Sequence, residues 1–225
     1  MKIGIMCATA RELAPLTKKM ESPHTERFLM REYHCGRLYG LDVVAVMGGV
    51  GKVNAAITAQ ELIGRFGVER LFFTGVAGGL SPELHIGDVV IGESLLNHDI
   101  PYELINNEDQ FPGMPKEFSS DPQLTALCRG LSSNLRFGRI ITGDAFITGA
   151  QRDSLIQRFH PLCVDMESAA VAQVCWFFQV PLLIIRSLSD NADDEAEGVY
   201  EENIAASSLG AIQVLEQVLS KLSES

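Results

Sequence analysis

Val180-Pro-Leu-Leu-Ile-Ile-Arg-Ser-Leu188, followed at once by Ser189-Asp-Asn-Ala-Asp193, decides the fold class. A continuous apolar run of this kind reads as a central strand of a parallel sheet, buried on both faces. Ligands of open α/β sheets bind just beyond the carboxyl ends of such strands, so Asp190 is a site candidate on position alone. The run also contains Arg186, and a guanidinium among leucines and isoleucines needs an anionic or carbonyl partner when buried. A carboxylate such as Glu12 suits that need; an arginine snorkelling from the strand end is the alternative.

Outward from this run, strands and helices alternate. Ile3 to Ala8 is strand-like and precedes a helix that Thr9 caps, with Leu13, Leu16 and Met20 at helical spacing. Strands are expected over Phe28 to Leu38 and Leu41 to Met47, joined at Tyr39-Gly40, and then a helix over Gly51 to Phe66. Leu71 to Thr74 reads as a short strand that ends in Gly75-Val-Ala-Gly-Gly79, either a tight turn or a place where backbone approaches a ligand. Asp88 to Gly92, Gly138 to Thr142 and Leu162 to Val164 are further strands. Asp121 to Leu131, Gln151 to Phe159, Ser168 to Phe178 and the amphipathic Asn203 to Leu222 are helices. The alternation predicts an α/β fold with a mixed or parallel sheet covered by helices. Its functional strand ends are Ala8 to Glu12, Gly48 to Lys52, Gly75 to Gly79 and Ser189 to Asp193.

The chain has 225 residues, 46% hydrophobic and 21% charged, with no linker or fixed-period repeat, which predicts one domain over 1–225. A net charge of -11, densest at Asp193-Asp-Glu-Ala-Glu197, disfavours a nucleic-acid partner. No apolar stretch approaches the roughly 18 residues of a membrane helix, and Met1-Lys2 leads into a strand rather than a secretory leader. A cytoplasmic protein with no membrane partner is expected. Cys7, Cys35, Cys128, Cys163 and Cys175 form no Cys-x-x-Cys pair and read as reduced core thiols. The histidines at 24, 34, 85, 98 and 160 show no metal-ligand spacing, so no metal site is expected.

Two glycine motifs fail the common phosphate signatures. Gly48-Gly-Val-Gly-Lys52 has Val46 and Val53 where a P-loop needs Gly and Ser or Thr, and Gly75 to Gly79 lacks the dinucleotide spacing. Val164-Asp-Met-Glu167 joins a strand to a helix, so one of its carboxylates falls at a helix N-terminus, where the dipole favours negative charge. Glu12, Glu167 and Asp190 thus occupy comparable strand-to-helix junctions that a sheet brings to one end. His98-Asp99 is no dyad, because adjacent strand residues face opposite sides.

Taken in order, Ile3-Gly-Ile with Glu12, Gly49-Val-Gly-Lys-Val-Asn-Ala-Ala, Thr74-Gly-Val-Ala-Gly-Gly, Gly143-Asp-Ala-Phe-Ile, Val164-Asp-Met-Glu-Ser-Ala-Ala and Arg186-Ser-Leu-Ser-Asp-Asn-Ala-Asp resemble the bacterial 5'-methylthioadenosine/S-adenosylhomocysteine nucleosidases. The resemblance spans nearly the whole chain. It implies a three-layer α/β/α sandwich around a mixed twisted sheet, of nucleoside-phosphorylase type. It further implies a homodimer that hydrolyses the N-glycosidic bond of 5'-thioadenosines without metal or cofactor, in methionine salvage or a related pathway.

On that resemblance Asp190 protonates purine N7, with Ser189 orienting it. Glu167 holds the ribose hydroxyls beside Met166, and Glu12 activates water near Arg186. Phe146 stacks on the base and the Ile147 backbone reads its edge. Val50, Val76, Val164 and Tyr200 line the pocket, and the Ala77-Gly78 backbone approaches base and sugar.

Two departures from the family pattern stand out. Val76 replaces the Ser that many relatives carry, and an apolar side chain there favours water over phosphate as nucleophile. Residues 98–112 lack the usual Asp-Val-Thr-Ala-Phe-Gly-Tyr, although Phe111-Pro112-Gly113 resembles its end. The family uses this stretch, here 99–112, to complete the neighbour's pocket around the 5'-group. Tyr102, Glu103, Leu104 and Ile105 are therefore expected to shape a different pocket. Futalosine hydrolysis is the alternative within the hydrolases; phosphorolysis and silent nucleoside binding are the alternatives outside them.

Overall fold

The computed structural model describes residues 1–101, 111–132, 134–193 and 195–224. In chain order the elements are β1 (Lys2–Cys7), α1 (Ala10–Thr17), β2 (Glu21–Phe28), β3 (Arg31–Leu38), β4 (Leu41–Met47), α2 (Lys52–Gly64), β5 (Arg70–Gly79) and β6 (Val89–Asn97). They continue with α3 (Pro122–Arg129), β7 (Arg136–Thr142), α4 (Gly149–Phe159), β8 (Cys163–Asp165), α5 (Ser168–Phe178), β9 (Leu182–Asp190) and α6 (Ala196–Ser223).

The strands form one mixed sheet in the order β2-β3-β4-β1-β5-β8-β7-β6-β9, and β9 also pairs with β5. The sheet therefore curls until β5, β8, β7, β6 and β9 close a ring, with β1, β4, β3 and β2 extending from β5. Every residue of β9 is buried, because it runs parallel to β5 on one side and antiparallel to β6 on the other. That double enclosure is why its sequence is continuously apolar. Helices cover both faces. Ala55, Ala59 and Leu62 of α2 pack with Val171 and Cys175 of α5 in one core. Leu13 and Leu16 of α1, Leu124 of α3 and Leu215 and Leu219 of α6 pack in the other. Fully burying a Phe such as Phe72 or Phe73 is worth about 1.5–3 kcal/mol, so the middle of β5 anchors both layers.

β5 changes partner along one edge. β1 lies beside Arg70 to Phe73, and β8 beside Gly78 and Gly79. Residues 74–77 have no strand partner on that edge. The open interval is a switch point of the kind at which α/β sheets bind ligands.

Two sequence expectations change. Phe28 to Leu38 is not one strand: Leu29 and Met30 both turn with positive φ (45° and 61°), and a separate strand, β2, precedes them. β2 is an exposed edge strand containing Pro23, with no apolar alternation to announce it. Gly75 to Gly79 is not a tight turn but the end of β5, and none of its glycines has positive φ. They are small for want of room: a Cβ on Gly75 would lie 2.5 Å from Glu12 Oε1 and 2.6 Å from Arg186 Nη1. Finally, pairing β2 to β3 sets His24 opposite Cys35, so ligand-type atoms of His24, Glu26 and Cys35 lie within 4.8 Å of one another at the sheet's outer edge. Linear spacing could not show that cluster.

Candidate active site

The end of β9, the switch interval of β5 and the start of α1 enclose a cavity of about 270 Å³. Its lining includes Glu12, Glu167 and Asp190, the three carboxylates expected from sequence, together with Val50, Val76, Ala77, Gly78, Phe146, Ile147, Val164, Met166, Ser189 and Tyr200.

Glu12 is held by its own helix start. Thr9 caps α1, and its amide and hydroxyl donate to Glu12 Oε2 at 2.7 and 3.0 Å. This reciprocal capping box fixes the carboxylate as it begins the helix. The other oxygen, Oε1, accepts at 2.9 Å from the Val76 amide, the donor that β5 leaves free between β1 and β8. A backbone irregularity of the strand has become a carboxylate clamp.

Arg186 lies fully buried beneath the cavity, and its partner differs from the expected Glu12. Nε donates to Asp165 Oδ2 at 2.9 Å and Nη2 to Ser168 Oγ at 3.1 Å, while Glu167 Oε2 lies 3.8 Å away. The guanidinium also stacks 3.9 Å from the Phe73 ring centre. Glu12 Oε1 and Arg186 Nη1 both lie close above Gly75 without bonding, and Nη1 has no hydrogen-bond partner among the described residues. Asp165 is fixed in turn by Thr142 Oγ1 at 2.6 Å, by the Glu167 and Ser168 amides and by the Ser168 hydroxyl. Sequence reasoning placed a carboxylate at this helix start without choosing one. Asp165 is the group that takes the amides of Glu167 and Ser168 at the start of α5, and the carboxylate of Glu167, the N-cap residue, faces the cavity.

Glu167 is 5% exposed and accepts from the Gly51 amide at 2.9 Å. Burial and the neighbouring Asp165 push its carboxyl up to about 7; Arg186 and the Gly51 amide oppose the rise, and Glu12 adds to it.

Asp190 ends β9. Its Oδ1 accepts from the Ala192 amide and its Oδ2 lies 2.8 Å from the Ser189 hydroxyl, which also lies 3.4 Å from Ala77 O. One hydroxyl proton serves either acceptor. Burial raises the Asp190 carboxyl above its usual range despite both donors, so this acid holds its proton to higher pH than a solvated aspartate. The turn that follows is held by Arg152, whose Nε donates to Asn191 O at 3.0 Å. Arg152 had no signal in the sequence, because a side chain bonding a carbonyl leaves no pattern.

At the rim, Phe146 is 43% exposed and meets Tyr200 edge-on with ring centres 6.0 Å apart. Burial and nearby Glu12, Glu201 and Glu167 push the Tyr200 phenol up to about 12. Phe111 and Pro112 do not line this cavity; they border a second groove, where Phe111 packs edge-on against Phe177. Tyr102, Glu103, Leu104 and Ile105 lie outside the described residues. Ala8, Thr9, Ala145, Asp165 and Ala192 complete the lining.

A three-layer fold with a carboxylate-lined cavity at its sheet's switch point defines a class, and the family model described as the Phosphorylase superfamily matches residues 2–223. A 5'-methylthioadenosine/S-adenosylhomocysteine nucleosidase of Maridesulfovibrio salexigens is 34% identical over 99% of this chain and 100% of its own length. The nucleosidase of the same name from Streptococcus pneumoniae, solved with a transition-state inhibitor, superposes with a TM-score of 0.93 at 34% identity, covering 99% of this chain and 100% of that one. A futalosine hydrolase of Helicobacter pylori superposes at 0.92 with 28% identity, covering 98% of each chain. The chain belongs to the 5'-methylthioadenosine/S-adenosylhomocysteine nucleosidase family.

Proposed function

We propose that the chain hydrolyses the N-glycosidic bond of 5'-thioadenosines, 5'-methylthioadenosine and S-adenosylhomocysteine, releasing adenine and the thioribose. The observation that carries the reading is a buried acid and a clamped carboxylate within one cavity. Asp190, whose carboxyl is raised by burial, passes its proton to purine N7, so the base leaves neutral as the C1'–N9 bond breaks. Glu12, fixed by Thr9 and the Val76 amide, takes a proton from the water whose oxygen bonds C1'. Glu167 as carboxylate accepts from the ribose hydroxyls and stabilises the positive charge developing on the sugar. Arg186, held by Asp165, supplies the counter-charge that lets two acids face one cavity. Phe146 stacks on the base, the Ile147 backbone reads its edge, and Val76 offers nothing to a phosphate.

The Helicobacter futalosine hydrolase and the departure of 99–112 from the family pattern support a second reading, a 6-oxo purine nucleoside with a larger 5'-group. Incubation with 5'-methylthioadenosine, S-adenosylhomocysteine, inosine and futalosine, with and without phosphate, separates them. Adenine and free thioribose support the first reading. Hypoxanthine from futalosine alone supports the second, and a sugar 1-phosphate sinks both.

Assembly and location belong to the same proposal. Val53 and Ile57 on α2, Trp176, Phe177 and Phe178 on α5, and Phe111 are exposed apolar side chains, and α2 packs on α5, which supports a homodimer whose 99–112 segment reaches the partner's pocket. Five buried cysteines free of disulfides support a reducing, cytoplasmic setting, and the proposed substrates would place the chain in methionine salvage. Among the described residues, no helix is long and apolar enough to cross a membrane.

A further inference from the structure

Lys52 takes no part in the chemistry above, yet it is the centre of a closed ring of bonds at the cavity's edge. Its Nζ donates to both oxygens of Asp99 at 2.7 Å, and its backbone amide donates to Asp144 Oδ1 at 2.8 Å. The Asp144 amide closes the ring on Asp99 Oδ2 at 3.0 Å. Burial alone would raise the Asp99 carboxyl; the bonds from Lys52 and Asp144 outweigh it and hold the group below its usual range. The Lys52 side chain is only 20% exposed, so this is no loose surface pair.

The ring joins two segments that reach the cavity to the start of a third. Gly51, immediately before Lys52, gives its amide to Glu167 Oε1. Asp144 is followed by Ala145, Phe146 and Ile147, one wall of the cavity. Asp99 opens the 99–112 stretch that departs from the family pattern. Partners 47 and 92 residues away in sequence make this a tertiary fastening and not a local helix contact.

We propose that Lys52 is a positioning residue: with Asp99 and Asp144 it latches the Gly51 amide onto Glu167 and sets the Phe146 wall at the matching distance. The proposal rests on the nucleosidase reading of the cavity. Glu167 is faced by Asp165 from β8, Arg186 from β9, Glu12 from α1, Tyr200 from α6 and the Gly51 amide from α2. Lys52 touches only the last. Opening the latch therefore withdraws one donor from the Glu167 carboxylate and leaves its charged neighbours in place, which raises the Glu167 carboxyl further.

The test uses the full chain as wild type, Lys52→Met, Lys52→Arg and the near-isosteric Asp99→Asn, which keeps the proposal testable if Lys52→Met does not fold. In the ligand-free protein, the Glu167 carboxyl is titrated by 13C NMR. Its midpoint is expected to rise by about half a pH unit or more in Lys52→Met and Asp99→Asn, with Lys52→Arg restoring most of the difference. With 5'-methylthioadenosine, KM is expected to rise roughly tenfold and kcat to change less than about threefold. The double variant should be little worse than either single one, since both open the same ring. A midpoint within about 0.1 unit of wild type overturns the latch, as does lost stability without a midpoint shift. Wild-type protein that cleaves no nucleoside would instead defeat the nucleosidase reading, and the titration would still decide the latch.

Discussion

On the floor of the cavity, Arg186, Asp165 and Ser168 are buried and bonded to one another, whereas at the rim Val50 and Phe146 are 49% and 43% exposed and Phe146 meets Tyr200 edge-on. The floor is assembled from strand ends whose backbone positions are set by the sheet. Its charges face no solvent and are fixed before any substrate arrives, which is the condition for strong electrostatic stabilisation of a developing charge. The rim consists of apolar surface still open to solvent, where the proposed reading places the base. On the proposed reading, chemistry resides in the buried part and recognition of the base at the open rim.

The largest blow to the floor is Asp190→Asn. An amide of the same shape keeps the Ala192 contact but delivers no proton, so we expect kcat to fall by roughly 10³-fold or more, with the unfolding midpoint nearly unchanged. Activity within about tenfold of wild type would remove Asp190 from the mechanism. Next comes Arg186→Met. It strands Asp165 and Glu167 in a buried place without their cation, and urea unfolding should show a loss of about 3–5 kcal/mol, the usual cost of breaking a buried pair. A loss under about 1 kcal/mol would show that the floor is not electrostatically coupled. At the rim, Phe146→Ala should raise KM for 5'-methylthioadenosine roughly tenfold, the low end of base stacking at about 1–3 kcal/mol, with kcat little altered. Equal losses in kcat and KM would place Phe146 with the floor.

The last effect is one of pH. Glu167 titrates near 7 when folded against 4.5 when free, so between those values the native state binds a proton that the unfolded chain does not. Stability should therefore decline as pH rises from about 4.5 to 7 and level off above, reversing the usual carboxylate trend. Glu167→Gln should flatten that slope. An unchanged slope would assign the titration to another group.

Much of the floor is legible in the sequence because its residues sit at ends of apolar runs, where strand periodicity stops and polar residues must do something other than fill a core. Asp190, Glu12 and Glu167 are found that way. Asp165 is not singled out, because an aspartate that takes helix-start amides and a cavity-facing glutamate two residues apart look alike until the strand end fixes which way each points. The Gly75 to Gly79 stretch misleads for a related reason: glycine marks both turns and crowded strands, and only Glu12, Arg186 and Asp190 around it tell which. β2 carries no apolar rhythm because neither face is covered. Phe111 and Pro112 are the least legible: they border a second groove and not this cavity, and Phe111 packs against Phe177, a contact that the chain's linear pattern does not announce.

The ring of β5, β8, β7, β6 and β9 closes only when β9 slips between β5 and β6. β9 comprises residues 182–190 of 225, so during synthesis most of the chain is made before the ring can shut. Until then β5 and β6 each present an unpaired apolar edge, the kind that invites pairing with another chain. The same strand that delivers Asp190 thus acts as the closing piece in biogenesis. A ribosome that stalls before residue 190 would release a chain with neither an active site nor a protected sheet.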